Sequence, residues 1–207
     1  MNGGNGVYSY SKSSQLQKEG SDVMMGMIKD AITEKMDIKS LLSNNSNIAS
    51  FHIVDFGCSI GPNTFLAMQH IIETITHKHQ TQHKNNQISP EFQVFFNDHV
   101  TNDFNTLFKA LPLERRYFTS GVPGSFYGHL FPSNSIHFAY SSYSLQWLSK
   151  TPKELMDEKS RSWNTGKIHY IGASEDVTSV YIAQFEKDME MFLNARGQEL
   201  KRLWKME

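Results

Sequence analysis

The sequence predicts an α/β fold, a parallel sheet whose strands alternate with crossover helices. Three observations carry that reading. Short apolar runs such as Phe51–Phe56 and Phe92–Phe96 alternate with stretches whose apolar residues recur at helical spacing. The first strand runs into Asp55-Phe-Gly-Cys-Ser-Ile-Gly-Pro62, a tight glycine turn followed by a residue that can start a helix. The second strand ends in Asn97-Asp98, a second acidic tip. Alternation of this kind argues for parallel strands joined by helices.

The elements follow in chain order. The first dozen residues are rich in glycine, serine, asparagine and tyrosine and read as an irregular arm. Val23, Met24, Met27, Ile28, Ala31 and Ile32 predict a helix over Ser21–Leu42, with Ser21 or Asp22 as N-cap. Asn44-Asn-Ser-Asn47 breaks it. Strand Phe51–Phe56 is followed by a helix from Pro62 with Phe65, Met68, Ile72 and Ile75 on one face. The run from His77 to Asn86 reads as a polar loop. Its three histidines suggest a metal less well than a solvated insertion, because no carboxylate or cysteine joins them. After strand Phe92–Phe96, Asn102-Asp103 caps a short helix carrying Phe104, Leu107, Phe108 and Leu111. Tyr117–Ser120 reads as a short strand before the turn Gly121-Val-Pro-Gly124. Ser135–Tyr140 is another strand and runs into Ser141-Ser-Tyr-Ser-Leu-Gln-Trp147. A short helix is expected over Pro152–Lys159. A long one starts near Ser174, with Val177, Tyr181, Phe185, Met189 and Phe192 as its stripe.

Composition narrows the class. A chain of 207 residues, 39% hydrophobic and 12% aromatic, can bury one core or a little more. A net charge of −1 gives no electrostatic case for nucleic acid or an anionic membrane. The polar, glycine-rich start does not read as a secretory signal, and no apolar run approaches a membrane span. A single cysteine excludes an internal disulfide and suits a reducing, cytoplasmic setting. Cys58 reads as a small buried residue in a tight turn rather than a nucleophile.

The strand–turn–helix at Asp55 is the arrangement that holds an adenine-bearing ligand at the carboxyl end of a buried strand. The bland alternative is a plain strand-to-helix connection. A second acidic tip at Asp98, where nucleotide-binding α/β folds grip a ribose diol, favours the ligand.

Five blocks occur together, in order, in one family. They are Asp55–Thr64, Phe96-Asn-Asp98, Asn102-Asp-Phe-Asn105, Gly121-Val-Pro-Gly-Ser-Phe126 and Ser141-Ser-Tyr-Ser-Leu-Gln-Trp-Leu148. From Gly3 to about Leu200 the chain resembles the plant SABATH methyltransferases, the salicylic acid, benzoic acid and theobromine synthase group. It has a particular likeness to the loganic- and farnesoic-acid-type carboxyl methyltransferases. The resemblance implies a Rossmann-like class I methyltransferase sheet, incomplete at the C-terminus, with a partial helical cap. It implies one domain fragment over 1–207: arm and first helix 1–48, cofactor-binding core 49–150, cap segment and long helix 151–200, and an atypical tail 201–207.

The implied reaction is methyl transfer from S-adenosylmethionine to the carboxylate of a small plant metabolite. By resemblance, Asp55 and Asn63 line the methionine end of the cofactor site, with Tyr10 reaching in from the arm and Cys58 and Ser59 forming the turn beside it. Asp98 holds the ribose hydroxyls and His99 flanks the adenine, with Ser125 and Phe126 on its other side. Gln17, Tyr143, Gln146 and Trp147 face the acceptor. Without the resemblance, Tyr143 and Trp147 read as core packing at a strand end, and Ser125-Phe126 reads equally as a surface turn. Asn164 matches a position that helps hold magnesium in some relatives, although a turn asparagine before Gly166 explains it as well.

The chemistry suits such a site. A sulfonium methyl donor is already activated, and a carboxylate with a pKa near ~4 is ionised at neutral pH, so no general base is required. Desolvation and alignment remain, from an apolar pocket with donors such as the Trp147 indole and the Gln17 and Gln146 amides. Two departures are visible. Gln146 stands where relatives often carry histidine or methionine, and glutamine can also read a purine edge, so a xanthine N-methyltransferase is the rival reading. Family members also continue past Leu200 with further sheet and cap. The chain is therefore expected to be a truncated product, a splice variant or a prematurely ended gene model, inactive alone or acting as a non-catalytic form that binds cofactor or a full-length partner. The full-length form is compatible with a homodimer.

Overall fold

The computed structural model describes Gly6 and residues 14–38, 50–82 and 90–201. Four strands form one sheet: β1 Ser50–Phe56, β2 Glu91–Asp98, β3 Phe118–Pro123 and β4 Phe138–Ser141. Their order is β3-β2-β1-β4, and every pair is parallel. The helices are α1 Gln15–Lys35, α2 Pro62–Gln82, α3 Phe104–Lys109 and α4 Glu175–Glu199. β1 is almost continuously buried because both faces are covered. Phe51 and Ile53 join Met68, Ile71 and Ile75 of α2 in one core. Val54 and Phe56, on the opposite face, join Tyr127, Ile136 and Phe192 in another.

Parallel register brings three carboxyl ends into one row. Phe56 pairs with Asn97, and Asp98 pairs with Pro123. Wholly buried Asn97 ties them together. Its carbonyl accepts the amides of Gly57 at 2.8 Å and Cys58 at 3.0 Å. Its side-chain amide donates to the carbonyls of Val122 at 2.7 Å and Gly124 at 3.0 Å.

Several boundaries differ from the sequence expectation. α1 begins at Gln15, not at Ser21. Gly20 looks like a breaker in sequence, yet it lies inside the helix because the Tyr143 hydroxyl packs there. A Cβ on Gly20 would stand 2.0 Å from that oxygen. The helix ends at Lys35 rather than continuing to Leu42, and its last turn is capped by a lysine from α2. Val23, Met24 and Met27 are exposed; only Met25, Ile28 and Ile32 of the described side chains reach the core, since α1 packs chiefly on α2. The expected break at Asn44–Asn47 lies outside the described residues.

The polar run after His77 is not all loop. α2 continues to Gln82, with Lys78 and His79 buried. Lys78 Nζ donates to the carbonyls of Ile32, at 2.8 Å, and Met36, which are groups at the end of α1 that an isolated helix leaves unpaired. β3 runs on through the expected turn to Pro123, because Val122 and Pro123 stay in register with Asn97 and Asp98. β4 starts at Phe138 rather than Ser135. Before it, the His137 ring takes the His52 amide at 2.9 Å, and Ile136 bridges Leu200.

The helix expected over Pro152–Lys159 is only a 3₁₀ turn, Lys153–Leu155. The Asp157 carboxylate and the Ser160 hydroxyl capture nearby amides and divert the backbone. α4 begins as expected, with the Ser174 side chain accepting the Val177 amide. The expected stripe is inward at Val177 and Phe192 and half-buried at Tyr181 and Met189, but polar residues share the buried face. Phe185 is exposed, while Gln184, Asp188, Arg196 and Glu199 are buried beside Val177 and Phe192. Asp188 accepts from the Ser149 amide at 2.8 Å and the Ser149 hydroxyl at 2.6 Å, and this polar pairing requires the burial.

Candidate functional site

A shallow, open recess lies at the carboxyl ends of β1 and β4. Asp55, Gly57 and Cys58 form its floor, Asn63 and Thr64 enter from the start of α2, and Gln17 from α1. Tyr140, Ser142 and Tyr143 close the β4 side. Local chemistry explains why these residues meet. Gly57 has φ +84, and a Cβ there would lie 2.3 Å from the Ser144 side chain. The Ser141 and Ser144 hydroxyls donate to the Phe56 carbonyl at 3.0 and 2.8 Å, which pins the segment after β4 onto the end of β1. Tyr143 then takes a left-handed backbone, φ +53, and so does Ser59 at φ 54. Non-glycine residues in that region cost about 1–3 kcal/mol each and cluster at functional sites.

The titratable groups are unusual. Asp55 is 3% exposed, and its carboxyl receives the Thr64 hydroxyl. Burial pushes its pKa up to about 7; the Thr64 hydrogen bond opposes that rise and Asp98 adds to it. Burial also pushes the Cys58 thiol well up, reinforced by Asp55 and Asp98, so Cys58 stays protonated and serves packing. Asp98 accepts the Ser59 amide on one oxygen and the His99 amide on the other, both at 2.7 Å. It therefore sits directly behind the β1 turn.

Of the residues expected at the site, Gln17, Asp55, Cys58, Asn63 and Tyr143 share the recess. Ser59, Asp98 and His99 adjoin it through the Asp98 hydrogen bonds. Asn63 donates to the Ser14 carbonyl at 3.2 Å and hydroxyl at 3.1 Å, which anchors the start of α1. Ser125 and Phe126 follow β3 beside Asp98, since the Gly124 amide donates to the Asp98 carbonyl at 2.9 Å. Gln146 and Trp147 are exposed, and the Gln146 amide donates to the Tyr143 carbonyl at 2.9 Å. Tyr10 lies outside the described residues.

Known proteins can now be compared. A family profile described as "SAM dependent carboxyl methyltransferase" matches residues 1–206. The chain belongs to this family. Loganic acid O-methyltransferase of Catharanthus roseus is 51% identical over 203 residues, which are 97% of this chain and 53% of that protein. Farnesoic acid carboxyl-O-methyltransferase of Arabidopsis thaliana is 48% identical over 200 residues, 97% of this chain and 55% of that one. Paraxanthine methyltransferase 2 of Arabidopsis thaliana is 40% identical over 201 residues, with the same coverage of each. A solved structure described as loganic acid methyltransferase with SAH matches with a TM-score of 0.88 at 50% identity, covering 97% of this chain and 55% of that chain. The chain spans about half the length of the curated relatives it matches. Family and sheet class are those the sequence resemblance implied.

Within this family member, Asn164 lies apart from the recess. Its side-chain amide donates to the carbonyls of Lys167 at 2.8 Å and His169 at 3.0 Å and to the Tyr181 hydroxyl at 3.2 Å, so it organises a turn. No group of three or more His, Cys, Asp or Glu that could hold a metal occurs among the described residues. No described helix is long and apolar enough to cross a membrane. Sequence reasoning missed Thr64, Tyr140, Ser142 and Asn97. The serines around Tyr143, two residues after the end of β4, were the legible clue. The role of Asn97 depends on register with β1 and β3 and had none.

Proposed function

We propose that this protein, at the length of its relatives, catalyses S-adenosylmethionine-dependent O-methylation of the carboxylate of a small plant metabolite. The observation that carries this is the recess at the carboxyl ends of β1 and β4, beside the acidic tip Asp98, in a chain of this family. The residues fit the cofactor. Gly57 lets the Ser144 side chain pack against the turn that floors the recess, and Asp98 keeps acceptor capacity for a ribose diol beyond its two backbone bonds. The Gln17 side chain has a buried Oε1 without a partner at the recess, which a bound ligand would complete.

When bound, the cofactor supplies a methyl group already activated by its sulfonium. The acceptor needs no base from the chain, because a carboxylate with a pKa near ~4 arrives ionised. The task left to the residues is to exclude water and align. Asp55 offers negative charge to the cationic end of the cofactor. The amide of Gln17 and the indole N–H of Trp147 orient the acceptor carboxylate, and the Tyr143 ring offers a face to a neighbouring cation. By itself the 207-residue chain is proposed to bind cofactor weakly without turnover, since much of the acceptor wall belongs to sequence present in the longer relatives. A homodimer at family length and a cytoplasmic setting, suited to the free Cys58, complete the proposal.

Xanthine N-methylation is the second reading, favoured by Gln146 and by the paraxanthine relative. Transfer of labelled methyl from S-adenosylmethionine to a panel of small acids and xanthines decides between them, using this chain and a form extended to family length. Base-labile methyl esters from the extended form are expected. Methylated xanthines with untouched acids would establish the rival.

A further inference from the structure

The C-terminal end of α4 carries a buried ion pair that contributes nothing to the recess itself. Arg196 and Glu199 are 4% and 1% exposed. Arg196 Nε donates to Glu199 Oε2 at 3.0 Å, and Nη2 lies 2.8 Å from the same oxygen. His129 Nδ1 also lies 3.6 Å from Glu199 Oε1, and the remaining hydrogen bonds go to main chain. Arg196 Nη1 donates to the Phe126 carbonyl at 2.6 Å and Nη2 to the Gly128 carbonyl at 2.9 Å. Glu199 Oε1 accepts the amides of Leu130 at 2.6 Å and Phe131 at 3.1 Å. The guanidinium lies over the rings of Phe56, 4.3 Å from its centroid, and Phe192, 5.0 Å away.

Stability alone explains this pair poorly. Desolvating two charges offsets most of their attraction, and an apolar pair of similar volume is often as stable. An apolar pair could not satisfy two carbonyls and two amides of an irregular segment. That segment leaves β3 after Pro123, is tied to the Asp98 carbonyl by the Gly124 amide, and carries Ser125 and Phe126 past the acidic tip. The guanidinium also touches Phe56, the residue before the Gly57 turn. The pair therefore spans both flanks of the ligand site from behind.

We infer that Arg196 and Glu199 are positioning residues for the cofactor site, holding the segment 125–131 at a fixed distance from the turn after β1. This rests on the cofactor reading proposed above. The experiment is calorimetric titration of the 207-residue chain with S-adenosylhomocysteine, alongside melting temperature and hydrogen exchange at the Leu130 and Phe131 amides. Arg196→Lys keeps the charge but loses the forked donation, and is expected to weaken binding about tenfold. Glu199→Gln keeps the shape and is expected to weaken it about threefold, with faster exchange at both amides. Ile136→Ala, a buried site in the same core, serves as the control. It should lower the melting temperature while leaving affinity within about twofold of wild type. If Arg196→Lys fails to fold, Glu199→Gln and the exchange rates decide. Unchanged affinity in the folded variants overturns the inference. So does an affinity loss in Ile136→Ala that matches theirs at equal melting temperature. No binding by the wild-type chain overturns the cofactor reading, and this inference with it.

Discussion

Replacing Asp55 by Asn should stabilise the ligand-free chain and weaken its hold on the cofactor. Asp55 is 3% exposed, and burial raises its carboxyl from the ordinary 3.8 to about 7. Between those values the folded state keeps a proton that the unfolded state has released. Stability associated with this group is therefore full below 3.8 and is lost as pH rises towards 7. At about 1.4 kcal/mol per pH unit, the ionised carboxylate costs ~4 kcal/mol above pH 7 and ~1.5 kcal/mol at pH 5. Asparagine has the same shape and can still accept the Thr64 hydroxyl, so the variant should escape that cost. Urea denaturation of both proteins at pH 5, 6, 7 and 8 measures it. The advantage of Asp55→Asn should grow with pH and level off near pH 8. A pH-independent difference, or a variant less stable than wild type at pH 8, would refute the reasoning. In the same series, affinity for S-adenosylmethionine should fall for the variant while the protein melts higher, which separates a binding carboxylate from a structural one.

Other substitutions test other parts of the site. Asp98→Ala should weaken cofactor binding by ~1.5–3 kcal/mol in calorimetry, whereas Asp103→Ala, which removes the α3 cap on Thr106, should cost ~1 kcal/mol of stability and leave affinity alone. Gly26→Ala in α1, where a Cβ meets nothing, should raise stability by ~1 kcal/mol in chemical denaturation. Gly20→Ala in the same helix should lower it, because the new methyl collides with the Tyr143 hydroxyl. Tyr127→Phe removes a hydroxyl that lies 2.7 Å from the Trp147 carbonyl and 3.2 Å from that of Leu145. In a form of family length it should raise the acceptor KM more than it changes cofactor affinity. Equal effects on both would show that this hydroxyl does not position the acceptor wall.

The legible part of the site is the part written locally. Asp55 with its glycine turn, and Asp98 at a strand tip, are strand ends followed by particular backbone needs. The turn residues that meet those needs follow the strand directly, so a linear reading finds them. Groups whose partners are distant were not legible. The Tyr143 hydroxyl, more than a hundred residues away, packs against Gly20 inside α1. Lys78 is another such group, because a lysine in a histidine-rich run looks solvated until the carbonyls of Ile32 and Met36 are brought to it.

By itself, the sequence determined the class of the sheet, the succession of strands and helices along the chain, and which strand ends carry acidic groups. These follow from periodicity and turn chemistry, which are properties of neighbours in the chain. Only the tertiary structure decided that Asp55 is pushed to neutral pH, that Asn97 ties three strand ends together, and that α4 buries a polar face. Desolvation and the pairing of buried polar groups depend on partners supplied from distant segments. An arginine and a glutamate three residues apart on a helix read as a solvated pair. Packing them beneath the segment after β3 turns them into the support for its backbone.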